Sequence, residues 1–151
     1  MGVTAALPPS GLHGQAAVVQ HINPPGLSRP TGYTHVTLAP SGRTLYIAGQ
    51  VSLDSTGRVV GSGDFRAQTE RVFANLEVAL RSAGATFADV VKLTTFVTDI
   101  AQLAIVREVR GRYLQADRSP ASTLVQVQAL ARPEFLIEIE AIAVLPDAHQ
   151  R

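Results

Sequence analysis

The stretch 120–144, PASTLVQVQALARPEFLIEIEAIAV, constrains the fold more than any other part of the chain. Two runs rich in β-branched residues flank Ala131-Arg132-Pro133. Proline has no amide hydrogen to give a central ladder, so the chain must break there. The pattern predicts strands over 121–129 and 135–144. In the second, Ile137, Ile139, Ala141 and Ala143 share one face, and Glu138, Glu140, Ile142 and Val144 share the other. In the first, Thr123, Val125 and Val127 oppose Ser122, Leu124, Gln126 and Gln128. Each strand therefore has one apolar and one partly polar face. The partly polar faces are expected to lie on a cavity, an interface or solvent, and to carry whatever chemistry the chain performs.

The rest of the chain supplies partners for these strands. A short strand is predicted over 17–22, stopped by Asn23-Pro24-Pro25-Gly26. Segments 34–39 and 44–48 read as a hairpin across Pro40-Ser41-Gly42, which delivers Gly49-Gln50 at its far end. Asp64 is a suitable N-cap for a long helix. Phe65, Thr69, Val72, Phe73, Leu76, Leu80 and Ala83 keep helical spacing, and Gly84 is suited to the residue after its end. A strand follows over 90–97. Asp99 and Gln102 then make a capping-box pattern ahead of a helix over about 100–116, with Leu103, Val106, Val109 or Arg110, and Tyr113 on its inner side. The order β, ββ, α, β, α, ββ predicts a two-layer α+β domain, a mixed, mostly antiparallel sheet with two helices packed on one face.

With 151 residues, 46% hydrophobic, the chain suits one domain. It is expected to span 17–146, with a flexible N-terminal tail over 1–16 and a short C-terminal tail over 147–151. A net charge of +1 and the lack of a long basic run argue against an electrostatic nucleic-acid binder. The interleaving of Glu108 with Arg107, Arg110 and Arg112 makes that helix face read as solvated. The absence of cysteine excludes disulfides and a thiol nucleophile. His13, His21, His35 and His149 have no metal-ligand spacing, so no metal or cofactor is expected. No apolar run approaches the ~20 residues that span a bilayer, and the first 28 residues lack Lys and Arg, so a cytoplasmic protein without a membrane segment is expected.

Several separated motifs, in order, resemble one family. Pro120-Ala121 precedes a strand, and Glu138-Ile139-Glu140-Ala141-Ile142-Ala143 closes the domain. Gly32-Tyr33 precedes the predicted hairpin, and Ala48-Gly49-Gln50-Val51 ends it. Gln68-Thr69 to Ala83-Gly84 and the run VVKLTTFVTD over 90–99 complete the set. Over residues 20–146 the chain resembles the RidA/YjgF family of reactive-intermediate imine deaminases, also labelled L-PSP endoribonucleases. The resemblance implies a chorismate-mutase-like fold and a homotrimer with a small-molecule cleft between adjacent subunits.

It also implies a site. In catalytic members an arginine after Pro-Ala grips the substrate carboxylate, a glutamate positions the attacking water, and a glycine-containing turn supports the ligand. Carried over by motif, the glutamate is Glu138, the turn is Gly49-Gln50, a tyrosine is Tyr33, and the position where the family usually has cysteine is Leu124. The arginine position is Ser122, which lacks both charge and fork. Arg107, at a helix position where the family often has an asparagine near the ligand, is the preferred substitute. Arg118 and Arg132 are further candidates. Glu138 reads equally as a solvated strand charge, and each arginine as a solvated charge or an intersubunit ion pair. Three functions are therefore open: an imine or enamine hydrolase of altered specificity, weak on 2-iminopropionate; a non-catalytic trimer that binds a small metabolite or a partner; and, more remotely, an RNA-binding or RNA-cleaving protein.

Overall fold

The computed structural model describes residues 18–147. The expected tails over 1–16 and 147–151 fall outside this range except for Asp147. The strands are β1 (Gln20–Ile22), β2 (Val36–Leu38), β3 (Gly42–Gln50), β4 (Val90–Val97), β5 (Ala121–Gln126) and β6 (Ile137–Pro146). The helices are α1 (Phe65–Ser82) and α2 (Leu103–Arg110). A four-stranded sheet runs β3-β6-β4-β5, antiparallel except for the β4–β5 pair, and β1 and β2 form a separate antiparallel pair. Both helices pack on one face of the larger sheet, as the pattern predicts.

Local chemistry sets α1. The Asp64 carboxylate accepts from the Ala67 amide, and Gly84 takes φ +76° just past the end. Its stripe of Val72, Phe73, Leu76 and Leu80 is fully buried against Val106 and Val109 of α2 and against Leu93, Val97, Ile137, Ile139 and Ala143 of the sheet. Each such large side chain contributes about 1.5–3 kcal/mol by leaving water.

Four expectations are corrected. First, β2 and β3 form no hairpin. β2 pairs with β1, whereas β3 pairs with β6, setting Leu45 opposite Ala143 and Ile47 opposite Ala141 over the core. The ten-residue β6 offers β3 a long apolar partner that three-residue β2 does not. Second, the second helix is shorter. Ile100–Gln102 is a 3-10 turn, and α2 stops at Arg110. The amides of Arg112 and Tyr113 then make tight i→i+3 bonds that bring the Tyr113 ring onto Phe73, centroids 5.1 Å apart. Third, β5 ends at Gln126 instead of 129, and β6 runs 137–146 instead of 135–144.

The fourth correction matters most for function. Ser122, Leu124 and Gln126 align with Leu93, Thr95 and Val97, the residues of β4 that face the helices. Leu124 packs against the core. Thr123 and Val125, not Ser122 and Leu124, share the helix-free face with Glu138 and Glu140. Both faces of β5 are mixed in polarity, so alternation alone does not say which turns inward. Register with the strongly buried β4 decides it.

Candidate functional site

The helix-free face of the sheet carries a row Glu138–Phe96–Val125, a second row Glu140–Thr94–Thr123, and Tyr46 and Lys92 flanking Ile142. The Lys92 ammonium donates to the Thr123 hydroxyl. Tyr46 is 81% exposed and Val125 41%, so this face is open and partly apolar.

At its β3 side the register slips. Ile47 pairs with Ala141, but the next pair is Gln50 with Ile139, so Ala48 and Gly49 together oppose Glu140. This bulge turns Gly49 toward Glu138. A Cβ placed on Gly49 would lie 1.8 Å from Glu138 Oε1 and 2.7 Å from Cδ, so only glycine leaves room for the carboxylate where it stands. Gln50 folds back, its amide donating to its own Ala48 carbonyl at 3.0 Å. Glu138 is half-buried and makes no ion pair among the described residues. A carboxylate held against backbone with no protein cation is free to accept from water or from a ligand N–H.

The other expected residues gather at the opposite edge of the sheet. The Thr34 amide donates to the Pro120 carbonyl at 3.1 Å, and Thr34 bridges to Ala121, which seats Gly32-Tyr33 beside the start of β5 and Ser122. Tyr33 meets His35 edge-on at 5.2 Å, and His35 is fixed through Nε2 to the Ser28 carbonyl at 2.8 Å. Arg107 is exposed in the last turn of α2 with no ion pair among the described residues.

Within one protomer the two groups do not meet. Ser122 lies in the row of Leu93 and Glu138 in the row of Phe96, two strands over and on opposite faces. At about 3.3 Å per residue and 4.8 Å per strand, their Cα atoms are roughly 14 Å apart. Glu138 and Gly49 lie together at the β3 side, Tyr33 and Ser122 at the β5 side, and Leu124 turns into the core.

The other candidate arginines are occupied or remote. Arg132 pairs with Glu134 at 3.2 Å and lies over the Phe135 ring. Arg118 lines a cavity of about 720 Å³ with His21, Asp89, Tyr113 and Val144, to which neither Glu138, Gly49, Tyr33, Ser122 nor Arg107 contributes. Arg112 bridges Glu70 and Glu108 at 2.9 Å each, and Arg66 grips Glu108 at 2.7 Å. These hydrogen bonds, Arg66 first, hold the Glu108 carboxyl down at about 2. The network ties α1 to α2. Among the described residues no cluster of His, Asp and Glu could hold a metal, and no helix is long and apolar enough to cross a membrane.

One residue escaped the sequence reading. Arg110 is half-buried, and its guanidinium lies against Gly32, where an added Cβ would meet Nη2 at 2.6 Å. Burial, and secondarily the charge of Arg107, lowers its pKa. Its signal was present: position 110 lies one turn beyond Val106, on the inner stripe, where a charge is costly without a purpose.

The fold and these motifs have relatives. The family model for endoribonuclease L-PSP matches residues 27–145. Protein DfrA of Myxococcus xanthus is 40% identical over 112 residues, 74% of this chain and 84% of that protein. The RutC family protein slr0709 of Synechocystis sp. is 36% identical over 118 residues, 78% of this chain and 89% of that one. The crystal structure of YyfB from Yersinia pestis, a Rid-family protein described as of unknown function, superposes with a TM-score of 0.77 at 47% identity, covering 84% of this chain and 98% of its own. With the matched region spanning the whole sheet and both helices, the chain belongs to the endoribonuclease L-PSP family, the RidA/YjgF group of proteins.

Proposed function

We propose that this chain is a cytoplasmic imine or enamine hydrolase of altered specificity, working as a homotrimer with its clefts between adjacent subunits. The observation that carries the reading is the Glu138 carboxylate, held against Gly49 on an open face with no ion pair among the described residues. Two half-sites at opposite sides of one sheet make one site when a second copy sets its β5 edge beside the β3 side of the first. Closing a ring in this way also covers Tyr46 and Val125. Water hydrogen-bonded to Glu138 adds to the C=N carbon, the carbinolamine loses ammonia, and a carbonyl compound remains, so R₂C=NH and H₂O become R₂C=O and NH₃. Glu138 takes the proton from water and returns it to the departing nitrogen.

Ser122 sets the specificity. A carboxylate facing arginine gains charge-assisted bonds of about 1.5–3 kcal/mol each, where serine offers one neutral bond. Where no other cation takes that carboxylate, turnover of 2-iminopropionate is therefore roughly tenfold to several hundredfold below that of arginine-bearing relatives, at ~1.4 kcal/mol per decade. The same substitution favours the second reading, a trimer that binds a small metabolite or partner without turning it over. The ion-paired state of Arg66 and Arg112 gives an RNA-directed role little support.

The test is ammonia release from freshly generated 2-iminopropionate and from bulkier or uncharged imines, for the wild type and Glu138→Gln. Turnover of any of these that is lost in Glu138→Gln supports the hydrolase. No turnover across the panel by a folded trimer leaves the binding reading.

A further inference from the structure

We propose that Arg110, with Arg107 behind it, forms an oxyanion site against Gly32 that takes the acidic group of the ligand, the task Ser122 cannot perform. The inference rests on the cleft reading above, since it names the ligand class of that same site: a small molecule carrying a carboxylate or phosphate.

Five arginines of the fold are paired. Arg58, Arg66, Arg81, Arg112 and Arg132 each meet a carboxylate within 3.2 Å. Arg110, like Arg71, is half-buried with no ion pair or side-chain hydrogen bond among the described residues, and its guanidinium is also set against the Gly32 backbone. A guanidinium carries five N–H donors, and leaving them desolvated and unpaired is costly. The charge of Arg107, one turn earlier and without an ion pair among the described residues, adds repulsion. A half-buried cation beside a second cation, with no carboxylate paired to it among the described residues, is stabilised by an anion from outside.

The backbone makes room for one. Gly32 has φ +76°, a conformation side chains rarely adopt, and the guanidinium rests where its Cβ would be. Gly32 is adjacent to Tyr33 and two residues from Thr34, which is clamped to Pro120 and Ala121. The planar fork is thus delivered to the edge on which Ser122 sits, from the helix side that Ser122 faces. Arg110 holds the anion by the two-pronged geometry that suits carboxylate and phosphate, and exposed Arg107 guides it in.

Calorimetric titration of the intact trimer at low ionic strength, with pyruvate in one arm, inorganic phosphate in another and chloride as control, tests this directly. The expected result is saturable binding of one anion per protomer, weakened at least about tenfold in Arg110→Gln and in Gly32→Ala, and less in Arg107→Gln. The tighter arm identifies the acidic group. A chain that binds anions through Arg110 but releases no ammonia refutes the hydrolase reading alone. Three outcomes overturn the present inference: no saturable binding in either arm, unchanged binding by Arg110→Gln, or dissociation of the trimer by Arg110→Gln, which would give the guanidinium to a neighbouring subunit's carboxylate. Should turnover be present with an unchanged KM in Arg110→Gln, the hydrolase stands and the anion site falls.

Discussion

Gly49→Ala isolates the contact on which the proposed chemistry depends. The new methyl would lie 1.8 Å from Glu138 Oε1, and real contacts of this kind do not fall below 3.0 Å, so the carboxylate must retreat by at least about 1.2 Å. The atoms in the way are the end of a flexible side chain. The backbone of Gly49 is not among those with positive φ, so alanine fits the main chain. The stability cost is then that of an off-rotamer Glu138, about 0.5–1.5 kcal/mol. The functional cost is larger, because a displacement near 1 Å from productive geometry is worth about a hundredfold in rate. Thermal unfolding and ammonia release would be measured for Gly49→Ala, Glu138→Ala and the double variant. Expected are a Tm lowered by a few degrees in Gly49→Ala, recovery of most of that loss in the double variant, and turnover lost in all three. Gly26→Ala, with nothing within 4 Å of its would-be Cβ, is the silent control. Full activity in Gly49→Ala, or stability effects that simply add in the double variant, would show that Glu138 does not occupy the space beside Gly49.

Other consequences can be measured alongside. Ser122→Arg should raise imino-acid turnover roughly tenfold to several hundredfold while Ser122→Arg/Glu138→Ala stays inactive; a folded, trimeric, inactive single variant would favour the binding module. Tyr46→Asp, at an 81% exposed position on the open sheet face, should convert a sedimenting trimer into monomer at micromolar concentration, whereas a monomeric wild type removes the basis for shared clefts. Phe73→Ala removes the ring against which Tyr113 stacks and should cost about 3–5 kcal/mol in urea unfolding. Glu108, held down at about 2 from an ordinary 4.5 by Arg66 and Arg112, adds stability that is complete above about pH 4.5 and is lost as pH falls toward 2. The Tm difference between wild type and Glu108→Gln should therefore be constant at neutral pH and close across that acid window.

What the sequence disclosed, and what it withheld, divides along a physical line. The Asp64 cap, the Gly84 terminus and the buried stripe from Phe65 to Leu80 are decided within a few residues of each other, and so is β4 at Val90–Val97. The partner of β3 was not legible, because competition between β2 and β6 for its edge is a tertiary contest. The inward face of β5 was hidden for the same reason, which placed Ser122 and Leu124 on the wrong side of the sheet. Motifs located Glu138 and Gly49, but not that a bulge presses one against the other. Arg110 passed as a helix residue of uncertain facing, because a half-buried cation is recognised only once its neighbours are seen to leave it unpaired.

β6 lies between β3 and β4, so the middle of the sheet is built from the last of its four strands to be synthesised. Until residue 146 has left the ribosome, β3 has no partner for Leu45 and Ile47, and β4 has only β5. At about 5–20 residues per second, the α1 stripe and both flanking strands wait several seconds with apolar surface exposed. The nascent chain must therefore be kept from pairing its orphaned edges with those of its neighbours, and a stall shortly before Ile137 would leave a chain holding nearly every residue of the fold but unable to close its sheet.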